Sequence, residues 1–318
     1  MGGPSVGVSI QAFSAPEMVE QIEQAEAAGI STAWSTIGGA GGADPLVAFA
    51  AALTATRSIT LGTAIIPTWP RHPIALAQQA LALEQLAPGR FRLGIGPSHE
   101  VAMVPGYGVH WEAPLQNLRE YLQVLRALLY TGAVDFDGRH VVAHGRLREP
   151  APIPLMASAL RPLSYETCGE LADGAISWMS PRPYLLSEAL PAIRRGAERA
   201  GRTPPPLIAH VPVAVNTDRE SVHALAQRQL GNYARIPFYR QMFEQAGFAS
   251  LTDGYPPALL DTLVVYGDED EVAERLAGYI RDGVGEVLAA PLLDADDRDG
   301  SIARAFRAIA RADALVRA

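Results

Sequence analysis

The sequence predicts an α/β chain folded as a (β/α)8 barrel, the TIM-barrel architecture with insertion segments, in one domain over residues 1–318. Three observations predict it. Short β-type runs alternate with helix-length stretches along the whole chain, which is the grammar of parallel βαβ units. Eight such runs occur, which suits a closed parallel barrel better than an open doubly wound sheet. No linker interrupts the alternation, and such barrels reach about 250 residues or more as one unit.

The first run is Val-Gly-Val-Ser-Ile at 6–10, and Ser14-Ala-Pro-Glu17 then opens a helix to about Gly29 as a capping box. Thr-Ala-Trp-Ser at 32–35 leads through a glycine-rich loop to a helix at Asp44-Pro45, an N-cap followed by proline at the first helical position. The third unit pairs a strand at 59–66 with a helix over 73–86, and the fourth pairs 91–95 with 116–129. Residues 134–141 alternate around Asp137-Gly138, so a surface hairpin is expected as an insertion near 134–148. The pattern resumes with a strand at 153–158 and a helix at 162–172, then 174–178 and 183–200, then a seventh strand at 207–215. Helical stretches at 219–246 and 268–282 precede the eighth strand at 287–290, and Asp299 or Ser301 is expected to cap the last helix. Residues 233–257, with Pro237, Gly247, Gly254 and Pro256-Pro257, read as a second insertion.

The basic residues number 26, all Arg and no Lys, against 34 acidic residues, for a formal charge of -8. The absence of lysine excludes Schiff-base aldol chemistry, a pyridoxal-phosphate aldimine and a P-loop. An acidic balance with scattered arginines argues against nucleic acid as a partner. The single cysteine, Cys168, permits no internal disulfide and fits a reducing compartment. With no long apolar run and no basic, apolar start, the expectation is a cytoplasmic protein that acts on a small molecule away from membranes.

In a barrel the reactive groups sit on the loops that leave the C-terminal ends of the strands. After strand two, Gly-Gly-Ala-Gly-Gly-Ala-Asp-Pro at 38–45 is either an anion-facing loop or an ordinary one capped by Asp44. After strand four, Gly94-Ile95-Gly96-Pro97-Ser98-His99-Glu100 starts like a dinucleotide fingerprint, but His99 replaces the third glycine and the Rossmann reading fails. It instead sets an imidazole, a hydroxyl and a carboxylate beyond a strand end, where His99 is either a proton donor or a solvent-facing histidine. The other histidines, His72, His110, His140, His144, His210 and His223, form no zinc motif, and His140 and His144 are expected to be exposed on the hairpin. Residues 294–300 lack two carboxylates of a calcium loop, so no metal is expected. Arg161-Pro162 and Ser180-Pro181-Arg182, after strands five and six, either offer guanidinium and helix N-termini to a phosphate or are ordinary arginines beside a helix start.

Ala-Ile-Ile-Pro-Thr-Trp-Pro-Arg-His-Pro at 64–73, taken with Gly-Arg-Phe-Arg-Leu-Gly-Ile-Gly-Pro-Ser-His at 89–99, resembles the bacterial luciferase-like superfamily, and within it the oxidoreductases that use the deazaflavin coenzyme F420. Matching stretches continue in the same order at 117–122, 136–138, 169–174, 266–272 and 283–287. The resemblance implies a barrel with an insertion segment, usually a homodimer, that holds a flavin or deazaflavin at its C-terminal face. It implies that Ala64 and Ile65 occupy the non-proline cis peptide that supports the ring in relatives, with Gly96 and Ser98 in the cofactor site. It places the cofactor phosphate at Ser158, Ala159, Leu160 and Arg161, where relatives often carry glycine at the last position, with Ser180 and Arg182 as further candidates. His99 falls where the sugar-phosphate dehydrogenases of the superfamily carry an acidic proton-transfer residue. The acid–histidine pair that many relatives have after strand two is Ile37-Gly38 here, which removes alcohol oxidation with that histidine as base.

The expected function is F420-dependent reduction of a C=C or C=N bond in a small organic molecule. His99 is the expected proton donor, with Tyr107 or His110 as substitutes from the same long loop, and Trp69, Trp111 and Trp178 as pocket walls. The alternatives are an FMN-dependent monooxygenase on the same fold and a non-catalytic flavin-binding protein.

Overall fold

The computed structural model describes residues 3–37, 41–248, 251 and 254–317. Positions 38–40 of the glycine-rich loop, and 249, 250, 252 and 253 of the second insertion, lie outside the described residues. Strand β1 (Ser5–Ser9) leads to helix α1 (Ala15–Ala27), β2 (Thr32–Ser35) to α2 (Pro45–Ala55), and β3 (Thr60–Thr63), continued by β4 (Ile66–Pro67), to α3 (Pro73–Leu86). β5 (Phe91–Gly96) is followed by α4 (Glu100–Tyr107) and α5 (Pro114–Arg126), then by the antiparallel hairpin of β6 (Ala133–Asp137) and β7 (Val142–Arg146). Next come β8 (Leu155–Ser158), α6 (Pro162–Leu171), β9 (Gly174–Trp178), a short α7 (Arg182–Tyr184) and α8 (Leu190–Arg199). After β10 (Leu207–Val215) the chain forms α9 (Arg219–Leu230), α10 (Pro237–Gln245) and α11 (Pro257–Leu263). The added strand β11 (Val265–Gly267) then pairs with the upper end of β10, and α12 (Glu269–Arg281), β12 (Glu286–Pro291) and α13 (Arg298–Arg317) follow.

Strands β1, β2, β3, β5, β8, β9, β10 and β12 pair in that order, all parallel, and β12 returns to β1 to close the barrel. All eight expected strands are present. Four local expectations are corrected. Residues 100–107 form a helix, where one long loop was expected between the fourth strand and the helix at 116; Met103 is buried on it and Gly108, left-handed at φ 65°, ends it. The hairpin turn spans 138–141, because the Glu120 carboxylate of α5 accepts the N–H groups of Arg139, His140 and Val141 at 3.1, 2.7 and 3.0 Å. That tether removes His140 from the strand, so it shares no strand face with His144, and packs its ring against Trp69. The last helix begins at Arg298, which leaves Asp299 and Ser301 inside its first turn with no capping role. At α1, Ser14 Oγ accepts from Glu17 N at 3.3 Å, but Glu17 takes the Phe13 N–H in return, so only half of the capping box forms.

The barrel interior is layered. At the N-terminal ends of the strands, Glu286 accepts from Thr32 Oγ1 and Trp34 Nε1, both at 3.0 Å, and pairs with Arg92 at 2.5 Å. Above it the Trp34 indole fills the centre, packed with Met156, Ile176, Ile208 and Leu288. Gly62 makes room for it, since a Cβ there would stand 2.2 Å from the indole. Two residues further along the same strand faces lie Ser158, Trp178, His210 and Ala290, where the packed interior gives way to a cavity.

Candidate active site

The cavity opens at the C-terminal ends of the strands and encloses about 1230 Å³. Single-ligand pockets run to roughly 300–1,000 Å³, so this one has room for two ligands side by side. Ala64 and Ile65, joined by a cis peptide, form one wall.

The loop after β8 supplies a second wall, formed by Ser158, Ala159, Leu160 and Arg161. Its backbone donors are already engaged. Ala159 N bonds Ile176 O at 2.9 Å, and Ser164 Oγ accepts the N–H groups of both Leu160 and Arg161 at 3.1 Å. What remains for an anion is the Arg161 guanidinium, whose Nε is buried without a partner and which no carboxylate of the described residues pairs. Gly96 does not line the cavity itself. It leaves space for the Ser158 hydroxyl, from which a Cβ at 96 would be 2.1 Å away.

The chain leaves β5 through Ser98, left-handed at φ 62°, and His99 takes the N-cap position of α4. Its side chain makes no capping bond. The imidazole lines the cavity instead, with Tyr233 and Tyr239 edge-on at 5.8 and 5.6 Å between ring centroids. Burial holds its pKa below the ordinary histidine value, so it is mainly neutral at pH 7. A second imidazole, His210 on β10, sits 4.2 Å from the Trp178 ring with Nε2 buried and unpartnered. Burial lowers its pKa to about 3. The Trp178 N–H is also buried without a hydrogen bond, though it lies near enough to the Tyr233 hydroxyl to temper the rise that burial gives that phenol.

This barrel, with its mouth cavity and cis peptide, was compared with known proteins. The luciferase-like monooxygenase family matches residues 2–286. The chain belongs to this family. An uncharacterised Mycobacterium tuberculosis protein is 27% identical over 227 residues, 65% of this chain, which spans 66% of that protein's length. The F420-dependent glucose-6-phosphate dehydrogenase of Beutenbergia cavernae is 30% identical over 244 residues, 73% of this chain and 72% of the relative. Among solved structures, an F420-dependent secondary alcohol dehydrogenase in complex with an F420–acetone adduct superposes with TM-score 0.82 at 19% identity, over 98% of this chain and 99% of that one. The FMN complex of a type II Baeyer–Villiger monooxygenase from Pseudomonas putida gives 0.72 at 18%, over 99% and 98%. At these identities the structural likeness speaks to the fold alone.

The luciferase-like cavity gathers some of the expected residues and leaves others outside. Ala64, Ile65, Ser98, His99, Ser158, Ala159, Leu160, Arg161, Trp111 and Trp178 line it. Tyr107 and His110 do not: Tyr107 is exposed at the end of α4, and the His110 imidazole is 90% exposed beside Glu112 at 3.5 Å. Ser180 and Arg182 are likewise not brought to it. Ser180 Oγ bonds Trp178 O at 3.3 Å, and Arg182 donates to Asp282 Oδ2 at 2.8 Å and Gly278 O at 2.9 Å while lying over the Tyr279 ring. Those bonds dock α7 on α12 and leave no free donor for a phosphate. Trp69 stands behind the wall, stacked on Trp111.

Sequence reasoning missed His210, Tyr233 and Tyr239. A signal existed for His210, the one imidazole in an apolar strand and two residues beyond Ile208 on the same face. None existed for the tyrosines, because a 3-10 turn over Gly231–Arg235 and Pro237 break the helical phase between them. Among the described residues no group of three His, Cys, Asp or Glu could hold a metal, and no helix is long and apolar enough to cross a membrane.

Proposed function

We propose that this luciferase-like chain is an F420-dependent oxidoreductase that reduces a C=C or C=N bond of a small organic molecule. The observation that carries the reading is the electrical character of the cavity. It has one unpaired cation, Arg161, two neutral imidazoles, and no buried carboxylate among its described lining residues. Arg161 and the Ser158 hydroxyl fit a phosphate-bearing tail, while Ile37, Ala64 and Ile65 offer an apolar bed for a flat ring. The F420-dependent relative supports the choice of coenzyme, and the volume supports holding coenzyme and acceptor together.

When bound in its reduced form, F420 supplies a hydride to one end of the acceptor bond. The chain does the rest. The aromatic walls exclude water and align the two planar systems. His99 gives a proton to the other end of the acceptor bond and regains one from water at the mouth. Its lowered pKa makes the protonated form a strong acid and keeps that form scarce at neutral pH. With Ile37 on the wall after β2, no carboxylate–imidazole pair stands there to take a proton from an alcohol, and reduction is the direction that fits.

The test is an anaerobic titration with F420 and FMN in parallel, then mixing of the reduced F420 complex with conjugated enones and imines. F420 is expected to bind at least about tenfold tighter, with recovery of the oxidised deazaflavin spectrum when an acceptor is added. Oxygen consumption with reduced FMN, and no F420 binding, would establish the monooxygenase reading. F420 binding without turnover of any acceptor would leave a binding protein.

A further inference from the structure

We infer that the acceptor is an uncharged, flat, largely apolar molecule, and that a phosphorylated sugar is excluded, because the space left beside the coenzyme is walled by aromatic rings and has no free cation among its described lining residues. The inference rests on the reading above in one respect: Arg161 is taken up by the coenzyme.

Besides Arg161, the charged side chains among the cavity's described lining residues are Arg298 and Asp294. Arg298 is neutralised, paired with Glu17 at 2.7 Å and donating to Gln11 O at 2.6 Å, with its guanidinium 5.0 Å from the centroid of the Phe13 ring. Asp294 is exposed at the rim and would repel an anion. The polar groups on the inner wall are neutral at pH 7, because burial raises the Tyr233 and Tyr239 phenols and lowers the His210 imidazole. A phosphate moved from water into this space would lose its hydration with no opposite charge to replace it, a penalty of several kcal/mol. An uncharged ring system meets the opposite situation. Trp178, Tyr233 and Tyr239 stand edge to face with one another, with centroids 5.8 Å apart for Trp178 and Tyr233 and 4.9 Å for the two tyrosines.

The entrance agrees with the interior. Three large apolar side chains at the rim are open to solvent: Phe13 at 82%, Leu163 at 68% and Phe238 at 43% exposure. Lone exposed hydrophobics need no explanation, but three around one mouth form an apolar collar of the kind that captures apolar ligands. The Beutenbergia relative, by its name, acts on glucose 6-phosphate; this chain would have to bind that dianion past the collar and against aromatic walls.

The test uses benzylideneacetone, a neutral aromatic enone, and glucose 6-phosphate as probes. Each is titrated by calorimetry into the protein loaded with oxidised F420 and into the protein alone, at low and high salt. Loading with F420 is measured first on the same sample, so failure of the coenzyme reading registers separately; in the protein alone, where Arg161 is free, the enone titration still tests the aromatic wall. Saturable enone binding that changes less than about twofold with salt is expected, with no competition from glucose 6-phosphate. Phe238→Asp is expected to weaken enone binding about tenfold, the scale of losing one apolar ring contact, while F420 affinity stays as it was. Salt-sensitive binding of glucose 6-phosphate to the F420-loaded protein, or the absence of enone binding from both forms, overturns the inference. So does an unchanged enone affinity in Phe238→Asp.

Discussion

Arg161 is set apart as the cavity-lining arginine that no described carboxylate pairs, since Arg298 is held by Glu17. Many arginines away from the cavity are committed to carboxylates, such as Arg199 to Glu166 and Glu170, Arg219 to Asp261 and Arg307 to Glu269. Removing Arg161 should therefore cost no folding stability and show only in ligand binding. Arg161→Ala is expected to weaken F420 by about 10- to 100-fold, the scale of one or two charge-assisted hydrogen bonds, with an unchanged melting temperature. Equal F420 affinity in the variant and the parent would remove Arg161 from the phosphate site. His99 carries the second residue-scale prediction. His99→Gln should lower reductive turnover about 100-fold or more and leave F420 affinity intact. Because burial sets the His99 pKa below the ordinary value, the acid form grows as pH falls, so the parent rate should rise from pH 8 to 6 and the variant's should not. A flat profile in the parent would point to another donor.

Among the elements, α13 closes the barrel at its N-terminal end. Asp313, fully buried on it, accepts the Val6 N–H of β1 at 3.0 Å and the Ser31 N–H before β2 at 3.2 Å. Asp313→Ala strands two N–H groups and should cost about 2–4 kcal/mol, read as a lower urea midpoint. A loss below about 1 kcal/mol would mean that water reaches these groups. Elements built from local signals were legible in the sequence. Asp44 caps α2 through the Leu46 N–H at 2.8 Å, and Asp268 with Glu271 forms the full capping box of α12. Elements decided at a distance were not. Helix α4 exists despite Pro105 because Met103 is buried and Ala102 lies against the cavity. The hairpin turn is set by Glu120, about twenty residues upstream and on another element.

For the whole molecule, stability should depend on pH through its buried neutral histidines. His210 has a native pKa of about 3, while in the unfolded chain it titrates near its usual value of about 6.5. Below that value the unfolded state binds the extra proton, so the native state loses relative stability as pH falls and regains it as pH rises. Between pH 6.5 and 5 the loss from His210 alone is about 2 kcal/mol. Paired carboxylates such as Asp261, held at about 2 by Arg219, lose their contribution only at lower pH. Urea midpoints at pH 7, 6 and 5 should therefore fall more steeply for the parent than for His210→Leu, and equal slopes would contradict a buried neutral imidazole.

The sequence by itself determined the eightfold alternation, the N-caps of α1 and α2 and the segments that border the mouth, because each depends on residues within one turn or one pleat of each other. It could not rank Arg161 against Arg182. Both are arginines beside a proline at a helix start, on neighbouring loops after successive strands. Tertiary structure decided between them, since Asp282, 100 residues along the chain, holds Arg182 while no described carboxylate reaches Arg161. The same holds for the cavity wall: Trp178, His210, Tyr233 and Tyr239 come from two strands and an insertion, and only closure of the barrel brings their rings together. Charge pairing and ring packing act through space, so the residues that define the site emerge only when the chain is folded.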